Sequence, residues 1–167
     1  SSMFCLRNCH LFSYRFFTLL AAASDRDVLT PEAAVNLLHW QVPPPHPPDL
    51  ARDWIAELDR HGVTRVALIA SHPGDVESVA SAVQMFPNRF TGFFMFDPTR
   101  EDANAALGLG RGLRCVCLFP ALHHFSLHDP RVKPVLNECA RRPGAAVFVH
   151  CGMLSIGVRN KLGIKTI

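Results

Sequence analysis

From residue 49 onward the sequence alternates without a break between amphipathic helical stretches and short apolar runs. Leu50, Trp54, Ile55 and Leu58 repeat at helical spacing, Asp49 is placed to cap that helix, and Gly62 ends it. A strand is predicted over 63–70. A helix follows from Gly74-Asp75, with Val76, Val79, Ala80 and Val83 on one face, and Pro87 stops it. The pattern then gives a strand over 90–96, an alanine-rich helix over 101–109 and a strand over 113–119. A helix over 131–141 turns Val132, Val135, Leu136 and Cys139 inward, and Gly144 leads into a last strand. Successive strands begin roughly 23 to 32 residues apart, which is crossover length and too long for hairpins, so a parallel sheet of βαβ units is expected.

The last strand carries the most chemistry. Ala145-Ala146-Val147-Phe148-Val149 has no polar alternation, as in a strand buried on both faces, and it stops on His150-Cys151-Gly152. Ligand sites of parallel α/β sheets lie at the carboxyl ends of the strands, where His150 stands.

Residues 1–48 are less regular. A first strand is expected over 3–9, Thr30-Pro31-Glu32 opens a helix, and the proline-rich stretch 43–48 forms an extended connector. The run 16–23 imitates the core of a signal peptide, but Tyr14-Arg15 abuts it, so it is assigned to the fold. No run approaches the roughly twenty apolar residues that cross a membrane. With 49% hydrophobic residues the chain is a folded one, and its 167 residues suit a single domain, 1–167. The net charge of +3 is scattered and excludes a nucleic-acid stripe. Six cysteines without a Cys-x-x-Cys pair suggest buried thiols in a reducing compartment, hence a cytoplasmic protein. Five strands fall short of the closed eight-stranded barrel, which usually needs about 200 residues or more. The fold class is therefore α/β, of (β/α)8 TIM-barrel type, cut after about five strands.

Five segments carry a family resemblance: Gly62 to Val66, Phe86 to Phe90, Phe94-Met95-Phe96-Asp97-Pro98, Gly112 to Pro120, and Phe148 to Gly152. Their order and spacing resemble amidohydrolase-related proteins, metal-dependent hydrolases and decarboxylases on a (β/α)8 barrel. The resemblance extends from about 49 to 157. It implies one divalent metal ion, zinc first and iron or manganese as alternatives. His10 and His150 would be its ligands, at the ends of the first and fifth strands. Asn8 stands where the family's first histidine belongs, and Leu6 where it carries an acid. The position of the family's fourth-strand lysine is Cys117, so a lysine-carboxylate bridge between two metals is not available. The histidine and aspartate of the later strands would lie beyond Ile167.

The resemblance further implies a small-molecule substrate: hydrolysis of a C–N or C–O bond, or decarboxylation of a small organic acid (a carboxy-lyase). No catalytic residue is assigned. Asn8, His72, Asp97, His123 and His124 are candidates for the substrate or the site mouth, with the loop 121–130 expected to be exposed. For Asp97 an Asp-Pro turn is the favoured reading. A homo-oligomer is compatible; nucleic acid and membrane are not expected as partners. The alternative is a non-catalytic fragment or remnant of such a barrel, its metal site incomplete and its sheet edges completed by a partner. A dinucleotide or pyridoxal enzyme lacks support, since the glycines over 108–112 precede a strand where a phosphate loop follows one.

Overall fold

The computed structural model describes residues 8–25 and 29–151. Within them five strands form one parallel sheet whose spatial order is the chain order. The strands are β1 (Asn8–Leu11), β2 (Val66–Ala70), β3 (Phe90–Phe96), β4 (Cys115–Leu118) and β5 (Ala146–Val149). The helices are α1 (Tyr14–Ala22), α2 (Pro31–Leu37), α3 (Pro47–Arg60), α4 (Val76–Met85), α5 (Ala105–Gly110), α6 (Pro120–His123) and α7 (Val132–Ala140). Sequential parallel order is how a barrel wall is wound; a doubly wound sheet would reverse at a switch point.

The two faces of the sheet bury different sets. Val66, Leu68 and Ala70 of β2 alternate toward the helices, joined by Phe90, Phe94 and Phe96 of β3 and by Val116 and Leu118 of β4. Leu50, Val79, Leu109, Val132 and Val135 cover them from α3, α4, α5 and α7. Ile69, Met95, Cys115, Cys117 and Phe119 alternate to the other face and form a smaller cluster with Leu122. Helix α5 packs on β3 because residue 108 is glycine: a Cβ there would sit 2.6 Å from the Phe94 ring. Helices α1 and α2 form a satellite in which Phe16, Phe17 and Leu20 pack against Ala34 and Val35.

One buried carboxylate ties that satellite to the sheet. Asp75, 1% exposed, accepts hydrogen bonds from the hydroxyls of Ser13 and Ser78, each at 2.5 Å. Ser13 in turn accepts from the amide of Phe16 at the start of α1 (2.9 Å). Burial pushes the Asp75 pKa up, against the lowering effect of the two serines and Arg15.

Several boundaries differ from expectation. Helix α3 starts at Pro47, so the connector ends two residues early; prolines fit the first turn of a helix, where their missing N–H has no partner to lose. Asp49 therefore sits inside the first turn, and His46 occupies the cap without a side-chain bond. Helix α5 starts at Ala105, because Asn104 caps it by accepting from the amide of Ala106 (3.0 Å). The run 16–23 falls in α1 and its C-cap Ala23, with Ser13 as the N-cap. Among the described residues no helix is long and apolar enough to cross a membrane. The largest correction concerns β5. It is not buried on both faces: Ala146 and Phe148 are exposed, and Val147 and Val149 are half-buried. Apolar composition announced a strand, but burial depends on neighbours, and among the described residues β5 pairs with β4 alone.

Candidate functional site

His10 is the third residue of β1, and His150 follows β5 directly, its amide donating to the carbonyl of Leu118 (2.8 Å). In a flat sheet, four strand steps of about 4.8 Å would hold their strands roughly 19 Å apart. Yet His150 still lowers the pKa of His10, second only to the effect of burial. The two edge histidines therefore lie within electrostatic reach of each other, closer than a flat sheet would hold them, and the space between them is the concave side of the sheet.

Ser71, just past β2, fixes the tautomer of His10. Its hydroxyl donates to the carbonyl of Ile69 (3.2 Å), so its oxygen must accept from Nδ1–H of His10 (3.0 Å). That leaves Nε2 of His10 with an open lone pair, the form in which imidazole binds a metal. The ring stacks on Phe12 at 5.8 Å, and that of His150 on Phe119 at 4.8 Å. Both are thus held in orientation by aromatic neighbours.

A second group stands over the ends of β2, β3 and β4. Nδ1 of His72 accepts the amide of Gly74 (2.9 Å), which puts the ring proton on Nε2. Burial, followed by the charges of Arg100, His123 and Arg15, lowers the His72 pKa to about 4. It is a neutral donor at physiological pH. His123 was expected on an exposed loop, but it ends helix α6 and is only 6% exposed, between Phe119 and Phe125. Among the described residues neither of its ring nitrogens has a hydrogen-bond partner. Leaving a buried polar group unpaired costs about 1–3 kcal/mol, so this ring has hydrogen-bonding capacity that the described residues do not use. Burial lowers its pKa first; Asp97 raises it, and Arg100 and His124 lower it further.

Asp97 spends one oxygen on a local turn, where Oδ1 accepts from the amide (2.9 Å) and hydroxyl (2.7 Å) of Thr99. Arg100 pairs bidentately with Asp102 at 2.9 and 3.0 Å. Asp97 and Arg100 also line a crevice of about 400 Å3 between α4 and α5, outside the concave space. His124 is exposed, in the left-handed conformation (φ 54°) that terminates α6. Asn8 is exposed on β1, in register with Ala67. Leu6 lies outside the described residues.

The fold thus assembles two groups. His10 and His150 share the concave space, and His72 and His123 share the mouth with Asp97 and Arg100. Asn8 and His124 stay at the margin. Among the described residues no three His, Cys, Asp or Glu side chains gather as a complete metal shell. Ser71, Arg15 and Arg100 were not singled out from the sequence. Position right after an apolar strand was the available signal for Ser71; nothing local marked the two arginines.

No family model matches the chain, and no curated protein matches it. Among solved structures it is similar to the crystal structure of a probable 2-pyrone-4,6-dicarboxylic acid hydrolase from Acinetobacter baumannii with citric acid bound. The TM-score is 0.48 and the identity 18%, over 81% of this chain and 45% of that one. The chain spans less than half the length of that protein.

Proposed function

We propose that this chain carries the amino-terminal strands and part of the mouth of a metal-dependent hydrolase or carboxy-lyase of the amidohydrolase-related kind, acting on a small organic acid. The observation that carries the reading is the pair His10 and His150, facing one concave space from the two edge strands, with Nε2 of His10 left open by Ser71. Two imidazoles fit zinc, iron or manganese as part of a ligand set, and the described residues supply no third donor. A divalent ion held there supplies a Lewis acid for a bound water or a substrate carbonyl.

The chain's own residues have definable parts. Ser71 holds His10 in the ligating tautomer. His72, neutral and protonated on Nε2, donates a hydrogen bond without bringing a charge. His123 offers an unpaired ring nitrogen, with Asp97 and Arg100 both within electrostatic reach. The neutral imidazoles of His72 and His123 give the mouth hydrogen-bonding groups suited to the oxygens of a small organic acid. Phe119 and Phe148 form an apolar wall near His150 that orients an unsaturated or aromatic body.

Elemental analysis of the purified chain tests the reading. About one equivalent of zinc, iron or manganese is expected in the parent protein, with loss of that metal in both His10→Ala and His150→Ala. Full metal retention in His150→Ala, or no stoichiometric metal in the parent, would leave the non-catalytic remnant as the better account.

A further inference from the structure

We propose that Arg114, Arg141 and Arg142 form a binding site for one phosphate group at the end of the sheet where β4 and β5 begin. That end lies opposite the one carrying His10 and His150, and the site does not depend on the metal reading. The three arginines line an open pocket of about 260 Å3 at the carboxyl ends of α5 and α7, against apolar Leu109, Leu113 and Ala145.

Topology brings the arginines together. Strands β4 and β5 pair with Cys115 opposite Ala146, and the amide of Ala146 donates to the carbonyl of Arg114 (2.8 Å). The residue just before β4 therefore lies beside the turn that leads from α7 into β5. The amide of Ala145 closes that turn on the carbonyl of Arg142 (3.0 Å), and the chain passes through Gly144 at φ 77°. A Cβ at Gly144 would stand 3.0 Å from Nη1 of Arg114, so the glycine both permits the turn and leaves the guanidinium its place.

The donors are largely unspent. Glu138 accepts from Nη2 of Arg141 and from Nε of Arg142 (2.8 Å), which fixes both side chains and uses one donor group of each. Among the described residues Arg114 has no carboxylate partner, only the carbonyl of Pro143 at 3.4 Å from Nη1. A guanidinium carries about five N–H donors, so most remain for a ligand. Carbonyls near the ends of both helices are already engaged: Asn137 and Cys139 in α7, and Leu107 and Leu109 in α5, accept backbone amides of the turns that follow.

Charge and size narrow the ligand. Three cations line the pocket, and Glu138 offsets one of them. The remaining two match the charge of about −1.5 to −2 that a phosphate group carries at pH 7. Guanidinium forks take its oxygens in pairs. Sites for drug-sized ligands run to roughly 300–1,000 Å3; this smaller one fits a single tetrahedral anion, free or on a small body.

Calorimetric titration of the chain at low salt, with inorganic phosphate and separately with glycerol 3-phosphate, tests the site. Saturable binding of at least one of them, at one site per chain, is expected. Tighter binding of inorganic phosphate identifies the free ion as the ligand, and tighter binding of the ester a phosphorylated small molecule. Arg114→Ala should weaken binding by about ten- to 100-fold; the residue is exposed, so its truncation leaves the core intact. Arg52→Ala removes the same charge from exposed α3 surface and should change nothing. No saturable binding of either anion overturns the proposal, as does equal weakening in Arg52→Ala and Arg114→Ala. So does displacement of phosphate by an equal concentration of chloride.

Discussion

Strands β4 and β5 are both four apolar residues long and pair residue for residue, yet they live in different surroundings. Every residue of β4 is buried, between helices on one face and the Ile69–Met95–Phe119 cluster on the other. In β5 no residue is fully buried, and Phe148 is 37% exposed. The same contrast separates β2 from β1, where Asn8 and His10 face water. The centre of the sheet is packed and the edges are open, and the two concave-space imidazoles both sit on the edges. Rigidity and chemistry occupy different strands. An imidazole that is to meet a ligand needs access, and a fully packed strand denies it.

The strongest way to break this contrast is at the centre. Phe94→Ala removes a 1%-exposed ring from the helix-covered face, and a loss of about 3–5 kcal/mol is expected in urea denaturation. A loss below about 1 kcal/mol would show that the helix-covered layer is not where stability is concentrated. Next comes Asp75→Ala, which strands two serine hydroxyls inside the link between α1 and the sheet; about 2 kcal/mol should be lost. Serine variants at 13 or 78 should cost less each, since the carboxylate keeps its other partner.

The pH response sharpens the contrast further. The His72 pKa lies at about 4 in the folded chain against an ordinary 6.5. Between those values the unfolded chain binds the proton and the folded one does not, so stability falls as pH drops through that window. His72→Asn keeps an acceptor for the Gly74 amide but cannot titrate, and it should flatten that part of the stability–pH curve. An unchanged slope would mean that another group sets it. The smallest effect is expected at the edge, where Phe148→Ala should cost under about 1 kcal/mol. A cost equal to that of Phe94→Ala would erase the distinction between edge and centre.

Much of this was legible from residue types. The strands over 63–149 and the helices between them, α6 excepted, follow from the periodicity, and the turn glycines mark their ends. His150 stands out because it closes an apolar run, whereas His10 was indicated by the family resemblance alone. The missing part is non-local. Ser71 reaches His10 across 61 positions, and Ser13 reaches Asp75 across 62; no window of sequence contains either pair. The same limit explains β5, whose exposure depends on which strands flank it, whereas His123 is enclosed by its chain neighbours Phe119 and Phe125 through the short helix α6, where a loop was expected. Proline at the first turn of α3 and Asn104 before α5 were local signals with known rules, and they moved the helix starts as those rules require.

Because neighbours in the sheet are also neighbours in the chain, assembly can be vectorial. As the polypeptide leaves the ribosome, β2 finds β1 already made, β3 finds β2, and each later strand docks on a template synthesised a few seconds earlier. Among the described residues no strand waits for a partner encoded far downstream. The growing edge at any moment is the newest strand, while β1 keeps the opposite edge from the start.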